Sequence, residues 1–344
     1  MSADALLSDL LAGKVPAVAR AVSIVENGRA GFEQLLTAIH PQLGRARRIG
    51  ITGPPGAGKS TLSEQMVHGW REAGLTVAVV AVDPTSPFTG GALLGDRIRM
   101  ERVALDPGVF IRSMATRGSL GGLATATREV ADVLDAAGFD RILIETVGVG
   151  QSELDIASMT DSTVLVLVPE SGDGIQALKS GVMEIADLFV INKADRPGAP
   201  KLQREIELAL DLKAGRAFRN VPAHHGALKS MTAEARREEA AAGWRPPVLQ
   251  TVAARGEGIG ELIDALDSHW QGSHSDGTLE SRRLARLAER TRAVVDRGMR
   301  RWLWSDGPAE EIVASRLDAA ARGEVSPYQI ATEVLAAVRE GVRV

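Results

Sequence analysis

The sequence predicts an α/β protein whose mostly parallel sheet is flanked by helices, with a helical segment before it and a helical arm after it. Three observations predict this. Between residue 46 and about 270, short β-rich runs alternate with longer amphipathic segments, the pattern that builds parallel βαβ units with helices on both faces. The runs are apolar almost throughout, as in STVLVLVP at 162–169, which suits strands buried on both sides. Outside this block the apolar residues recur at helical spacing. The 344 residues exceed the roughly 100–200 of one domain, and the expected divisions are 1–42, 43–271 and 272–344.

Taken in order, residues 3–40 place Leu6, Leu7, Leu10 and Leu11, then Val18, Val22 and Ile24, then Phe32, Leu35, Leu36 and Ile39 at helical spacing, ending at Pro41. Strands follow at RRIGIT, TVAVVAVD, VFIRSM, DRILIET, STVLVLV, LFVINK and PVLQTVA, with helices over 60–73, 122–137, 174–186 and 258–270. QGSHSDG at 271–277 is polar and Gly/Ser-rich and reads as a linker. Beyond it, Leu284, Leu287, Thr291, Val294, Gly298 and Trp302 form one stripe at spacings of three and four. Two more helices start after Asp306-Gly307-Pro308 and at Ser326-Pro327, where Ser caps and Pro fills the first turn. The stripe suits either the chain's own core or a second copy.

Composition narrows the function. Apolar residues at 44% and charged residues at 24% exclude an overall disordered chain. The net charge of −4, from 40 Lys+Arg against 44 Asp+Glu without a long block of one sign, gives no electrostatic footprint for nucleic acid or anionic lipid. Neither partner is expected. The absence of cysteine removes disulfides, thiolate metal ligands and a cysteine nucleophile. The acidic N-terminus does not read as a signal peptide, and the longest apolar run is far shorter than the ~18 residues of a membrane span. A cytoplasmic location is the expectation.

Gly53-Pro54-Pro55-Gly56-Ala57-Gly58-Lys59-Ser60-Thr61 sits between a predicted strand and a predicted helix, with the Gly-x4-Gly-Lys-Ser spacing of a phosphate loop. Glycines let main-chain N–H groups converge on phosphate, and the helix N-terminus adds its dipole. Lys59 can reach β and γ oxygens and Ser60 can ligate Mg²⁺. Asn192-Lys193-Ala194-Asp195 follows the strand LFVI at the ligand edge of a parallel sheet. A carboxylate at Asp195 matches guanine N1–H and its exocyclic amine, whereas adenine lacks that donor pair. GTP and GDP are therefore the expected ligands of a P-loop GTPase.

Mg²⁺ wants hard oxygen ligands and keeps several waters. Asp83 and Glu145 end strands and Asp96 lies in GGALLGDRIRM, so these three, with Ser60, are the metal candidates. Gly148, after Glu145-Thr146-Val147, is the candidate for a γ-phosphate contact in a nucleotide-dependent switch. The Gly-rich PFTGGALLGD and ESGDGIQALKSG offer further mobile loops, and within them Arg99 and Lys179 are candidates to stabilise charge on the transferring phosphoryl group.

GITGPPGAGKST, AVDPTSPFTGGALLGDRIRM, LIETVGVGQSE and INKAD together resemble the MeaB family of GTPases, which guard cobalamin-dependent acyl-CoA mutases. The resemblance covers most of the chain. It implies a chaperone that uses GTP binding and hydrolysis to gate adenosylcobalamin loading and to expel inactivated cofactor, and it implies that 272–344 is a homodimerisation arm. It places the family's phosphate-loop residues on Lys59 and Ser60, its metal acids on Asp83, Asp96 and Glu145, its base-reading aspartate on Asp195, and its third switch on Gly172-Asp173 through Lys179. The family's Ser-Ala loop behind the base reads here Val252-Ala253-Ala254, after Thr251. That loses a hydroxyl and leaves main-chain contact. GGALLGDRIRM and RSMATRGS are closer to the GTPase portion of fused isobutyryl-CoA mutases, so methylmalonyl-, isobutyryl-, 2-hydroxyisobutyryl- and ethylmalonyl-CoA mutases all stay open as clients. No mutase domain is read in the chain, and the client is expected to act in trans.

Three other readings compete. An ATP-dependent kinase associated with basic amino acid transport would need an acceptor pocket and a base at the attacking hydroxyl, and no such motif is evident. A nickel or zinc insertion GTPase would need Cys or His clusters; Cys is absent and His224-His225 is the only adjacent pair. A signal-recognition GTPase would want a Met-rich groove, but the 8 Met are scattered.

Overall fold

The computed structural model describes residues 3–83, 100–115, 120–146, 155–169, 182–213 and 244–341. They fall into two compact units, Met1–Leu279 and Glu280–Val344. The first opens with α1 (Ala3–Leu11), α2 (Val15–Glu26) and α3 (Phe32–Ile39). It continues as β1 (Arg47–Thr52), α4 (Lys59–Glu72), β2 (Val77–Asp83), the short α5 (Glu101–Ala104), β3 (Val109–Ala115), α6 (Leu120–Ala136), β4 (Arg141–Thr146) and β5 (Ser162–Leu167). It closes with α7 (Val182–Ile185), β6 (Leu188–Asn192), α8 (Ala199–Lys213), β7 (Val248–Thr251) and α9 (Ile259–Ser275).

All pairings between these strands are parallel, in the order β3-β2-β4-β1-β5-β6-β7. β4, β5 and β6 are buried at every residue, because helices cover both faces and successive side chains serve opposite ones. On β2, Ala78, Val80 and Val82 meet α2, α3 and α6, while Val77 and Val79 meet α4 and α9. On β5, Val164 and Val166 join the α4/α9 side, and Leu165 and Leu167 pack with Leu202, Ile206 and Leu210 of α8. Full burial of such a side chain contributes about 1.5–3 kcal/mol. The N-terminal helices belong to this core, and Arg112 of β3 clasps Glu26 at the end of α2.

Polar locks close the amino ends of the strands. Asp135 of α6 accepts the N–H groups of Gly44 (2.9 Å), Arg45 (3.1 Å) and Ala46 (2.9 Å) as well as Arg48 Nη2 (2.9 Å). Asp132 shares that guanidinium at 2.9 Å. Burial alone would weaken the hold of Arg48 on its proton, but Asp132 and Asp135 outweigh it and the net shift is upward. A second lock joins α9 to β5 and to the approach to β6. Buried His269 meets Ser162 Oγ at 2.7 Å and Asp187 Oδ1 at 3.3 Å, and Trp244, whose ring lies 4.8 Å away, donates to the Asp187 carbonyl.

The expected linker at 271–277 is instead largely helix: α9 runs unbroken to Ser275. Its small residues bond back to the helix, with Ser273 Oγ 3.3 Å from His269 Nε2 and Ser275 Oγ donating to the Gln271 carbonyl at 2.6 Å. Composition suggested a break, and the buried His269 anchors the turns that composition would loosen. The helix expected over 174–186 is described only as α7; residues 170–181 lie outside the described part.

The second unit is helical. α10 (Thr278–Arg301) enters it, a π-helical turn over Trp302–Asp306 follows, and α11 (Ala309–Ala321) and α12 (Pro327–Gly341) complete it. α12 starts as the Ser326-Pro327 pair predicts: Gln329 N–H donates to Ser326 Oγ while the Gln329 side chain accepts from Ser326 N–H, a reciprocal cap. Ile330 and Val334 of α12 are buried. The predicted stripe on α10 is exposed at Leu284 (69%), Leu287 (43%) and Val294 (46%). Among the described residues, no helix is long and apolar enough to cross a membrane.

Candidate nucleotide site

β1 lies centrally in the sheet, and its carboxyl end releases the loop 53–58 into α4. The loop needs its glycines for specific reasons. Gly53 has φ +139°, and a Cβ there would come within 2.1 Å of the Val166 carbonyl oxygen of β5. Gly58 has φ +86°, and its Cβ would meet Asn192 Nδ2 at 2.4 Å. No L side chain fits either place without moving backbone or the amide. α4 therefore starts at Lys59 with its first N–H groups directed at the loop.

The sequence-predicted residues converge here in part. Lys59 is buried and donates from Nζ to the carbonyls of Gly53 (2.8 Å) and Pro54 (3.1 Å). Ser60 Oγ donates to Glu145 Oε1 at 2.7 Å. Glu145, the penultimate residue of β4, pairs with Ile51 of β1 and is buried. At its back, Thr146 Oγ1 donates to Thr52 Oγ1 at 3.1 Å. Asp83 closes β2 in register with Ala115 of β3, but its side chain lies outside the described residues. Asp96, Arg99, Gly148 and Lys179 lie outside them altogether, as do the loops expected to switch.

Asn192 and Lys193 tie the end of β6 to the phosphate loop. Asn192 Nδ2 donates to the Ala57 carbonyl at 2.8 Å, and its Oδ1 accepts from Thr251 Oγ1 (3.2 Å) and Ala253 N–H (3.1 Å). Lys193 Nζ donates to the Gly56 carbonyl at 2.8 Å. Lys193 is also the one non-glycine residue with positive φ (57°) among the described residues, a strained conformation that costs on the order of 1–3 kcal/mol and gathers at functional turns. Asp195 follows with an exposed carboxylate, 3.5 Å from Arg255 Nη2. The loop Val252-Ala253-Ala254 stands beside it. Two of its main-chain donors are engaged internally, Val252 N–H on the Glu257 carbonyl and Ala253 N–H on Asn192.

Two residues here escaped the sequence reading. Ser63 Oγ donates to Glu145 Oε2 at 2.8 Å; its place three residues after Ser60, on the same face of a helix, was the available signal. Arg255 pairs with Asp195 across sixty positions, for which the sequence holds no local sign. No group of three or more His, Asp or Glu among the described residues is placed to hold a metal ion by itself.

A parallel sheet of this order, a glycine cradle feeding a buried lysine and serine, and an Asn-Lys-x-Asp turn bonded to that cradle define a P-loop GTPase. A crystal structure of an LAO/AO transport system kinase has the same fold, with a TM-score of 0.65 and 27% identity over 98% of this chain and 99% of that one. The model of the family described as methylmalonyl-CoA mutase-associated GTPase MeaB matches residues 18–306, and the chain belongs to the MeaB family. A GTPase of Pyrococcus abyssi is 45% identical over 96% of this chain and 95% of its own. The mitochondrial methylmalonic aciduria type A homolog of Mus musculus is 35% identical over 81% of this chain and 66% of its own.

Proposed function

We propose that this GTPase is a chaperone of a cobalamin-dependent acyl-CoA mutase supplied in trans, gating adenosylcobalamin loading and clearing inactivated cofactor at the expense of GTP. The observation that carries the proposal is a site joined end to end, phosphate loop to base-side turn through Asn192, in a chain whose family is described by its association with methylmalonyl-CoA mutase.

In this reading the 53–61 loop wraps the phosphates with main-chain N–H groups and Lys59 swings from its loop carbonyls to the β and γ oxygens. The hydroxyl of Ser60 and the carboxylate of Glu145, already in contact, form the described part of an Mg²⁺ site completed by Asp83 and Asp96. The donor set fits the ion, since all are hard oxygens. Bound Mg²⁺ supplies charge neutralisation on the β and γ phosphates. Gly148 senses the γ-phosphate, and Arg99 and Lys179 are the cations for the transferring group. Asp195 reads the guanine edge, Asn192 and Lys193 hold the turn that presents it, and Val252, Ala253 and Ala254 wall the base. The exposed apolar stripe of α10 supports a homodimer through the arm; a monomer in sedimentation velocity at micromolar concentration would remove that part.

The carboxylate at Asp195 favours this over the ATP-dependent transport kinase. Asp195→Asn is expected to shift preference from guanine towards xanthine nucleotides by roughly 5- to 150-fold, since a lost bidentate contact is worth about 1–3 kcal/mol; an unchanged ranking in nucleotide competition removes the role. The client is tested by capture from native extract on the immobilised full chain with a non-hydrolysable GTP analogue. Retention of an acyl-CoA mutase is the expected result, and a transporter subunit in its place overturns the assignment.

A further inference from the structure

We infer that Ser63 is a positioning residue for the metal site: it fixes the plane of the Glu145 carboxylate so that Ser60 presents lone pairs, not its proton, to the cation. The inference rests on the proposed reading of Ser60 and Glu145 as metal-side groups. Ser60 and Ser63 lie one turn apart on α4, and each gives its hydroxyl proton to a different oxygen of Glu145, at 2.7 Å to Oε1 and 2.8 Å to Oε2. Ser63 is fully buried, Glu145 is 5% exposed and Ser60 7%. Ser63 therefore meets no ligand itself and acts through the carboxylate.

The chemistry follows from a hydroxyl's inventory, one proton and two lone pairs. With its proton committed to Oε1, the oxygen of Ser60 is left as an acceptor, the form a hard cation requires. That commitment holds only while Oε1 stays put. The terminal torsion of a glutamate is broad, and the bond from Ser63 to the second oxygen narrows it, holding Oε1 where Ser60 donates. Groups that orient metal ligands from behind are worth about 10- to 100-fold in metal affinity.

The test compares the full-length protein with Ser63→Ala, Ser63→Thr and Glu145→Gln. Mn²⁺ is titrated into each GDP complex and followed by electron paramagnetic resonance, and GDP affinity is measured separately in EDTA by calorimetry. Ser63→Ala is expected to weaken Mn²⁺ by about tenfold with metal-free GDP affinity unchanged, and Ser63→Thr to restore it. If the alanine variant does not fold, Ser63→Cys keeps the volume with a weak donor and is expected to show a smaller loss in the same direction. Wild-type Mn²⁺ affinity in the folded Ser63 variants alongside a weakened Glu145→Gln overturns the inference alone. A loss of metal-free GDP affinity equal to the Mn²⁺ loss overturns it too, as a structural effect. Unchanged Mn²⁺ binding in Glu145→Gln overturns the reading of Glu145 beneath it.

Discussion

Lys59→Ala is expected to lower GTP affinity by roughly 100-fold or more while leaving the chain folded. Each charge-assisted hydrogen bond to phosphate is worth about 1.5–3 kcal/mol, and two of them correspond to at least two powers of ten. The folding cost is a separate quantity: in the structure the ammonium donates to the Gly53 and Pro54 carbonyls, charge-assisted bonds within its own loop rather than across the core. Calorimetric titration with GTP beside a thermal melt separates the two effects. GTP binding equal to wild type at an unchanged melting temperature would refute the assignment of Lys59 to the phosphates.

Asp135→Ala carries the largest stability loss, about 3–5 kcal/mol. Its carboxylate is 1% exposed and receives three main-chain N–H groups and the Arg48 guanidinium. Alanine removes the acceptor from all four donors, strands the buried Ala46 N–H and leaves Arg48 leaning on Asp132. The approach to β1, which leads to the phosphate loop, loses its tether to α6. Chemical denaturation should show the loss directly, and a change under about 1 kcal/mol would show that water replaces the carboxylate. Asp135→Asn should fall between the two, since one oxygen is kept and the other becomes a donor facing donors.

Much of the architecture was legible because parallel strands buried on both faces read as continuous apolar runs, and because the phosphate loop marks the end of β1 and the start of α4 by itself. Asn192-Lys193-Ala194-Asp195 was legible as the turn that follows β6 at the carboxyl edge of the sheet. Its bonds to Ala57, Thr251 and Ala253 were not, since partners 59 to 135 positions away leave no periodic trace. The same holds for Ser162, Asp187 and His269, three unremarkable residues in sequence that close the floor of the sheet. The failure at 271–277 has a different origin. Gly and Ser lower intrinsic helix propensity, but tertiary burial of His269 overrides a preference worth less than 1 kcal/mol per residue. Asp135 was one aspartate among several on an amphipathic helix, and only the arrival of 44–48 singles it out.

The amide of Asn192 joins three stretches of chain with one side chain: the crest of the phosphate loop, the tip of β7 and the turn that leads to Asp195. In the proposed reading, grip on the two halves of a nucleotide is consequently a shared property rather than two separable ones. On that reading a compound with a poorly matched base is expected to lose phosphate grip as well as base contacts. Inorganic pyrophosphate, lacking a base, would find the cradle without the leverage that normally tightens it.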